Sequence, residues 1–119
     1  MAVLVAIPDG REGTRALLAG IEEARTLSTD LLVLNLTLNH MDLTPLPDDL
    51  KVEVLERSGA GDRDPADAVL DELADRPDVT RLVIGLRRRS PVSKALLGSV
   101  SQRLLLESPI PVLAVKPED

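Results

Sequence analysis

Apolar positions along this chain switch between two periods. Ala2–Ile7 is an unbroken apolar run that stops at Pro8-Asp9-Gly10. Such a run marks a strand buried on both faces, as parallel strands are. From Glu12 to Leu27 the spacing turns helical, with Leu17, Ile21, Ala24 and Leu27 on one face at steps of four and three. Gly13 and Gly20 weaken that helix locally. Leu31–Leu38 (LLVLNLTL) then predicts a second buried strand. Residues 39–50 carry two Pro and three Asp and predict a loop. Lys51–Arg57 alternates polar and apolar at its start, as a half-exposed strand does, and Ser58-Gly59-Ala60-Gly61-Asp62 reads as a flexible connection.

The second half carries sharper boundaries. Asp64 suits a helix N-cap, Pro65 the first helical position and Asp67 the first turn. Ala66, Val69, Leu70 and Leu73 repeat at helical spacing, opposite a solvated face of Asp67, Asp71, Glu72 and Asp75. Arg76-Pro77-Asp78 ends that helix, and Val79–Gly85 predicts a fourth strand. Residues 86–95 form a basic loop, Leu96–Glu107 is mainly helical, and Pro109 and Pro111 precede a last strand, Val112–Val115. The order β-α-β-β-α-β-α-β predicts an α/β fold. Its sheet is open, five-stranded and mostly parallel, with helices on both faces. No helix fits between strands two and three, so either a loop makes that crossover or a hairpin replaces it. Residues 1–119 form a single domain.

Composition narrows the function. The chain has 119 residues and 12.8 kDa, with 44% hydrophobic residues, 23 of them Leu, and no Phe, Trp, Tyr or Cys. The core must be aliphatic. Without Cys there is no disulfide framework, thiolate nucleophile or thiolate zinc site. Without aromatics there is no platform on which bases stack. A net charge of −6 and a pI near 4.7 disfavour a nucleic-acid partner. There is no run of 18 apolar residues and no basic-then-apolar leader, so the expectation is a cytoplasmic protein with no membrane partner. The single histidine, His40, reads as a surface residue, and Asp62, Asp64 and Asp67 read as loop and capping groups, so no metal site is expected.

Ligands of open parallel sheets bind outside the C-terminal strand ends. After strand four comes Gly85-Leu86-Arg87-Arg88-Arg89-Ser90-Pro91-Val92-Ser93-Lys94-Ala95-Leu96-Leu97-Gly98-Ser99-Val100-Ser101, the one basic cluster of an acidic chain. Gly85 permits a sharp turn and Gly98 a close backbone approach. Ser99, Val100 and Ser101 stand near a helix start, whose partial positive charge favours an anion. Arg88, Arg89 and Lys94 add formal charge. The competing reading is a solvated basic loop that balances nearby acids.

The stretch VIG…GSVSQRLLLESPIPVLAVKP resembles the C-terminal signature of the universal stress protein family, whose pattern is Gly-x2-Gly-x9-Gly-Ser/Thr after strand four. Gly85, Gly98 and Ser99 match it. Arg88 stands where the middle glycine belongs, and Pro8, followed by Asp9, stands where the family has an Asp at the end of strand one. The resemblance implies strand order 3-2-1-4-5, a homodimer through the last strand, and a regulatory protein without catalysis that binds ATP or another adenine nucleotide. It implies phosphate contacts from Gly85, Gly98, Ser99 and Ser101, with Arg88 and Arg89 as added charge and Val100 beside them. On the adenosine side it implies the strand-one position held here by Pro8 and Asp9. With no ring available, aliphatic side chains such as Ile7 and Leu36, and backbone groups near Asp9 and Leu38, would hold the base. The alternatives are a homodimeric interaction protein of the same fold that binds no nucleotide, and a weak ATPase. A phospho-receiver is rejected, because Leu55-Glu56-Arg57 stands where its acceptor Asp is required.

In that strand order Val112, Leu113, Ala114 and Val115 form an apolar edge without charge. Such an edge must be covered or paired, and two-fold pairing with a second copy does so.

Overall fold

The central strand is β1, Ala2–Ile7, all six of whose residues are at most 3% exposed. Around it, a computed structural model describes residues 1–7, 11–37, 46–56, 64–86 and 99–116. The other elements are α1 (Arg11–Thr26), β2 (Asp30–Asn35), β3 (Val52–Glu56), α2 (Pro65–Asp75), β4 (Val79–Gly85), α3 (Ser99–Glu107) and β5 (Val112–Val115). The sheet order is β3-β2-β1-β4-β5, and each neighbouring pair is parallel. The hairpin alternative between strands two and three is thereby excluded. β2 and β3 run parallel from Leu31 opposite Val52 to Asn35 opposite Glu56, so the connection crosses over without a regular helix among its described residues.

Alternation along the strands sorts the aliphatic residues into two layers. Val3, Val5, Ile7, Leu31, Val33 and Val83 face α1, where Ala16, Leu17, Ile21 and Ala24 meet them. Ala2, Leu4, Ala6, Leu32, Leu34, Leu82 and Ile84 face the other way, onto Ala66, Val69 and Leu73 of α2 and Leu104 of α3. Gly20 allows α1 to lie close to the sheet. A Cβ there would stand 3.0 Å from Val5 Cβ and 3.2 Å from Val5 Cγ1. α1 stops in a Schellman turn, with Thr29 N–H donating to Ala24 O, Ser28 N–H to Arg25 O, and Ser28 at φ 53°.

α2 begins as its sequence predicts. Asp64 accepts the Ala66 N–H at 2.9 Å, and Pro65 occupies the first turn. β2 is shorter than its apolar pattern suggests, ending at Asn35 rather than Leu38. The Asn35 side chain accepts the Thr37 N–H at 2.9 Å, an Asx-type contact that competes with continued strand pairing. Residues 38–45 lie outside the described residues.

Ion pairs tie the elements at the periphery. Arg81 of β4 meets Glu23 of α1 at 3.1 Å. Arg76, beyond α2, meets Glu72 and also Glu53 of β3, each at 3.1 Å. Arg25 holds Asp49 at 2.9 Å, fastening the segment ahead of β3 to α1.

Candidate functional site

β1 and β4 remain paired only as far as Val5 and Val83. Beyond that point Ala6 and Ile7 continue beside Leu34 and Asn35 of β2. Ile84 and Gly85 instead continue beside Ala114 and Val115 of β5. The two central strands therefore part over their last residues. From there the chain leads to α1 on one face and to α3 on the other. This is the switch point of a doubly wound sheet, where a crevice opens at the carboxyl ends of the strands.

Several predicted residues lie at the carboxyl ends of the strands or at the head of α3. Ile7 ends β1, 3% exposed. Leu36 follows β2, and its N–H donates to Ile7 O at 2.9 Å. Their side chains nevertheless go to opposite layers: Ile7 packs on the α1 side and Leu36 on the α2/α3 side. Gly85 ends β4 in register with Val115, and Leu86 N–H donates to Val115 O at 2.9 Å. Ser99 is the exposed first residue of α3. Val100 packs its side chain against the same layer as Leu36, so toward an anion it offers its backbone N–H. Ser101 is half-buried. The described part of α3 begins at Ser99, and a helix N-terminus carries positive partial charge. Pro8, Asp9, Arg88, Arg89 and Gly98 lie outside the described residues.

One guanidinium links α3 to the head of α2. Arg103 meets Asp64 at 3.1 Å, Asp67 at 2.6 Å and Glu107 at 3.0 Å. The Asp67 carboxylate foremost, then Glu107, raises the Arg103 pKa above its ordinary value. Asp64 and Asp67 are thus engaged in capping α2 and in binding Arg103.

A buried polar group escaped the sequence reading. Asn35, 2% exposed, ends β2 opposite Ile7 of β1 and Glu56 of β3. Its Nδ2 donates to Glu56 Oε2 at 3.0 Å, and its Oδ1 accepts from Thr37 N at 2.9 Å and Thr37 Oγ1 at 2.6 Å. The available signal was a lone Asn inside the otherwise apolar stretch Leu31–Leu36.

Val112 and Ala114 of β5 pack toward α2 and α3, and Val115 toward α1. Leu113 is 36% exposed. β5 has one neighbour in the sheet and forms its edge.

Residues 53–116 match the profile described as the Universal stress protein family. A universal stress protein from Mycolicibacterium smegmatis is 43% identical over 124 residues, covering 88% of this chain and 89% of the relative. The chain belongs to the universal stress protein family. Two solved structures share the fold of this family member. One is a universal stress protein from Archaeoglobus fulgidus in complex with dAMP, with TM-score 0.66 and 22% identity over 98% of each chain. The other is a universal stress protein in complex with cAMP, with TM-score 0.65 and 23% identity over 97% of each chain. The family match takes in β4, α3 and β5, and with them Gly85 and Ser99.

Proposed function

We propose that this universal stress protein binds an adenine nucleotide, with ATP the leading candidate, in the crevice between β1 and β4, and acts as a regulator without turnover. The parting of β1 and β4 after Val5 and Val83 carries this reading. The head of α3 and the Ile7–Leu36 backbone contact stand at the same carboxyl end of the sheet, which supports a crevice there. Phosphates would lie toward Gly85, Gly98, Ser99 and Ser101, with Arg88 and Arg89 adding charge, and the adenosine toward Ile7, Pro8, Asp9 and Leu36. The dAMP and cAMP complexes of proteins with this fold support the ligand class. The residues named supply hydroxyls, backbone N–H groups and guanidinium charge, which suit holding a phosphate rather than activating water for its hydrolysis. Calorimetric titration with ATP, ADP, AMP and cAMP tests this. Binding of at least one supports the proposal, and no heat from any of them overturns it.

We also propose that β5 pairs with β5 of a second copy. The apolar edge and the exposed Leu113 support this. Light scattering at micromolar concentration should give twice 12.8 kDa, and the monomer mass would contradict it. Arg88 in place of the family's middle glycine favours a second reading, an interaction dimer that binds no nucleotide. Nucleotide released from freshly purified protein would rule that out.

A further inference from the structure

The Asn35 side chain links the segment after β2 to the end of β3, beside the end of β1. Its register partners are Ile7 of β1 and Glu56 of β3. Through Oδ1 it holds Thr37, one residue beyond Leu36. Through Nδ2 it holds the Glu56 carboxylate. An ionised carboxylate only accepts, whereas a backbone N–H only donates, so these partners set which end of the carboxamide faces which neighbour. Leu36 is therefore fixed twice. Its own N–H is bound to Ile7 O, and the turn that follows it is closed by Asn35. Its side chain is directed into the layer shared with Val100 and Leu104 of α3. A buried polar group in an aliphatic layer costs stability unless its bonds are made. The gain here is a fixed backbone at the base side of the crevice.

We infer that Asn35, clamped by Glu56, is a positioning residue that sets how tightly the base of the nucleotide is held, leaving phosphate binding to the β4–α3 side. This rests on the nucleotide reading above. Asn35→Asp keeps the acceptor for Thr37 but sets two carboxylates against each other at the Glu56 contact. Adding Glu56→Gln to Asn35→Asp reverses donor and acceptor and restores the link.

The test compares ATP with inorganic tripolyphosphate by calorimetry. Asn35→Asp should weaken ATP about tenfold, the loss of one good hydrogen bond's worth of order, with tripolyphosphate unchanged. The double variant should recover ATP binding. Equal weakening of both ligands, unchanged ATP affinity, or failure of the double variant to recover overturns the inference. Hydrogen exchange at the Leu36 amide, which needs no ligand, separates the two levels. It should quicken in Asn35→Asp and recover in the double variant. Wild-type protein that binds none of ATP, ADP, AMP and cAMP overturns the base-holding role together with the nucleotide reading. Wild-type ATP binding, with affinity and Leu36 exchange both unmoved in Asn35→Asp, overturns the inference alone.

Discussion

Arg103 of α3 and Asp64 at the head of α2 meet at 3.1 Å, Nη1 to Oδ2, while Asp64 Oδ1 caps α2 through the Ala66 N–H. One carboxylate thus caps one helix and anchors the next. Asp64→Ala should lose the cap, at about 1 kcal/mol, and the anchor besides. Asp64→Asn retains a capping oxygen and should lose less, by an amount that shrinks with added salt. Urea unfolding of both variants at low and high salt measures the difference. Equal losses in the two variants would show that the ion pair, not the cap, matters here.

Gly20 and Val5 govern the approach of α1 to the sheet. Alanine is the better helix former by about 1 kcal/mol, yet its Cβ would crowd the Cβ of a fully buried Val5 at 3.0 Å. Val5 cannot yield without moving the central strand. Gly20→Ala should therefore destabilise by about 1–2 kcal/mol. A Val5→Ala background removes the Cγ1 and Cγ2 contacts but keeps the Cβ at 3.0 Å, so the penalty should shrink without reversing, which a double-mutant cycle measures.

Ser28 ends α1 at φ 53°, a left-handed conformation that costs an L-residue energy and costs glycine none. Ser28→Gly should stabilise by about 0.5–1 kcal/mol, read as a higher urea midpoint with unchanged slope.

The Arg25 guanidinium, hydrogen-bonded to Asp49, holds that carboxyl below its ordinary 3.8. A depressed folded pKa adds stability above the unfolded value and loses it as pH falls through the folded one. The contribution is therefore present at neutral pH and disappears below pH 3.8. Carbon-detected NMR titration should place the Asp49 midpoint below 3.8, and Arg25→Ala should move it upward.

Much of this fold is legible in the chain. β1, β4 and β5 have the predicted bounds, because apolar runs closed by Gly or Pro leave few alternatives. The head of α2 was equally clear, since Asp64, Pro65 and Asp67 all act locally. The strand order was implied by the family resemblance, because adjacency between β1 and β4 leaves no local trace. β2 was overextended for a related reason. Leu36 and Leu38 continue the apolar pattern, but the Asn35 turn ends the strand. The Asn35–Glu56 contact joins residues 21 apart, and Arg81–Glu23 joins residues 58 apart. Both depend on register between segments that periodicity cannot align. Of the candidate site, Gly85 and Ile7 end β4 and β1, Leu36 follows β2 and Ser99 begins α3, so these four lie at the carboxyl ends of the strands and the head of α3. The opposite orientation of Ile7 and Leu36 became visible only once the layers were known.

The most direct test of the nucleotide crevice is amide chemical-shift mapping of uniformly ¹⁵N-labelled protein titrated with ATP. The account predicts shifts at Ile7, Leu36, Gly85 and Ser99, at the carboxyl ends of the strands and the head of α3, with Asp30, Val52 and Val79 at the opposite strand ends unmoved. Saturating ATP that moves none of the first group, or that moves only residues at the opposite end of the sheet, would contradict it.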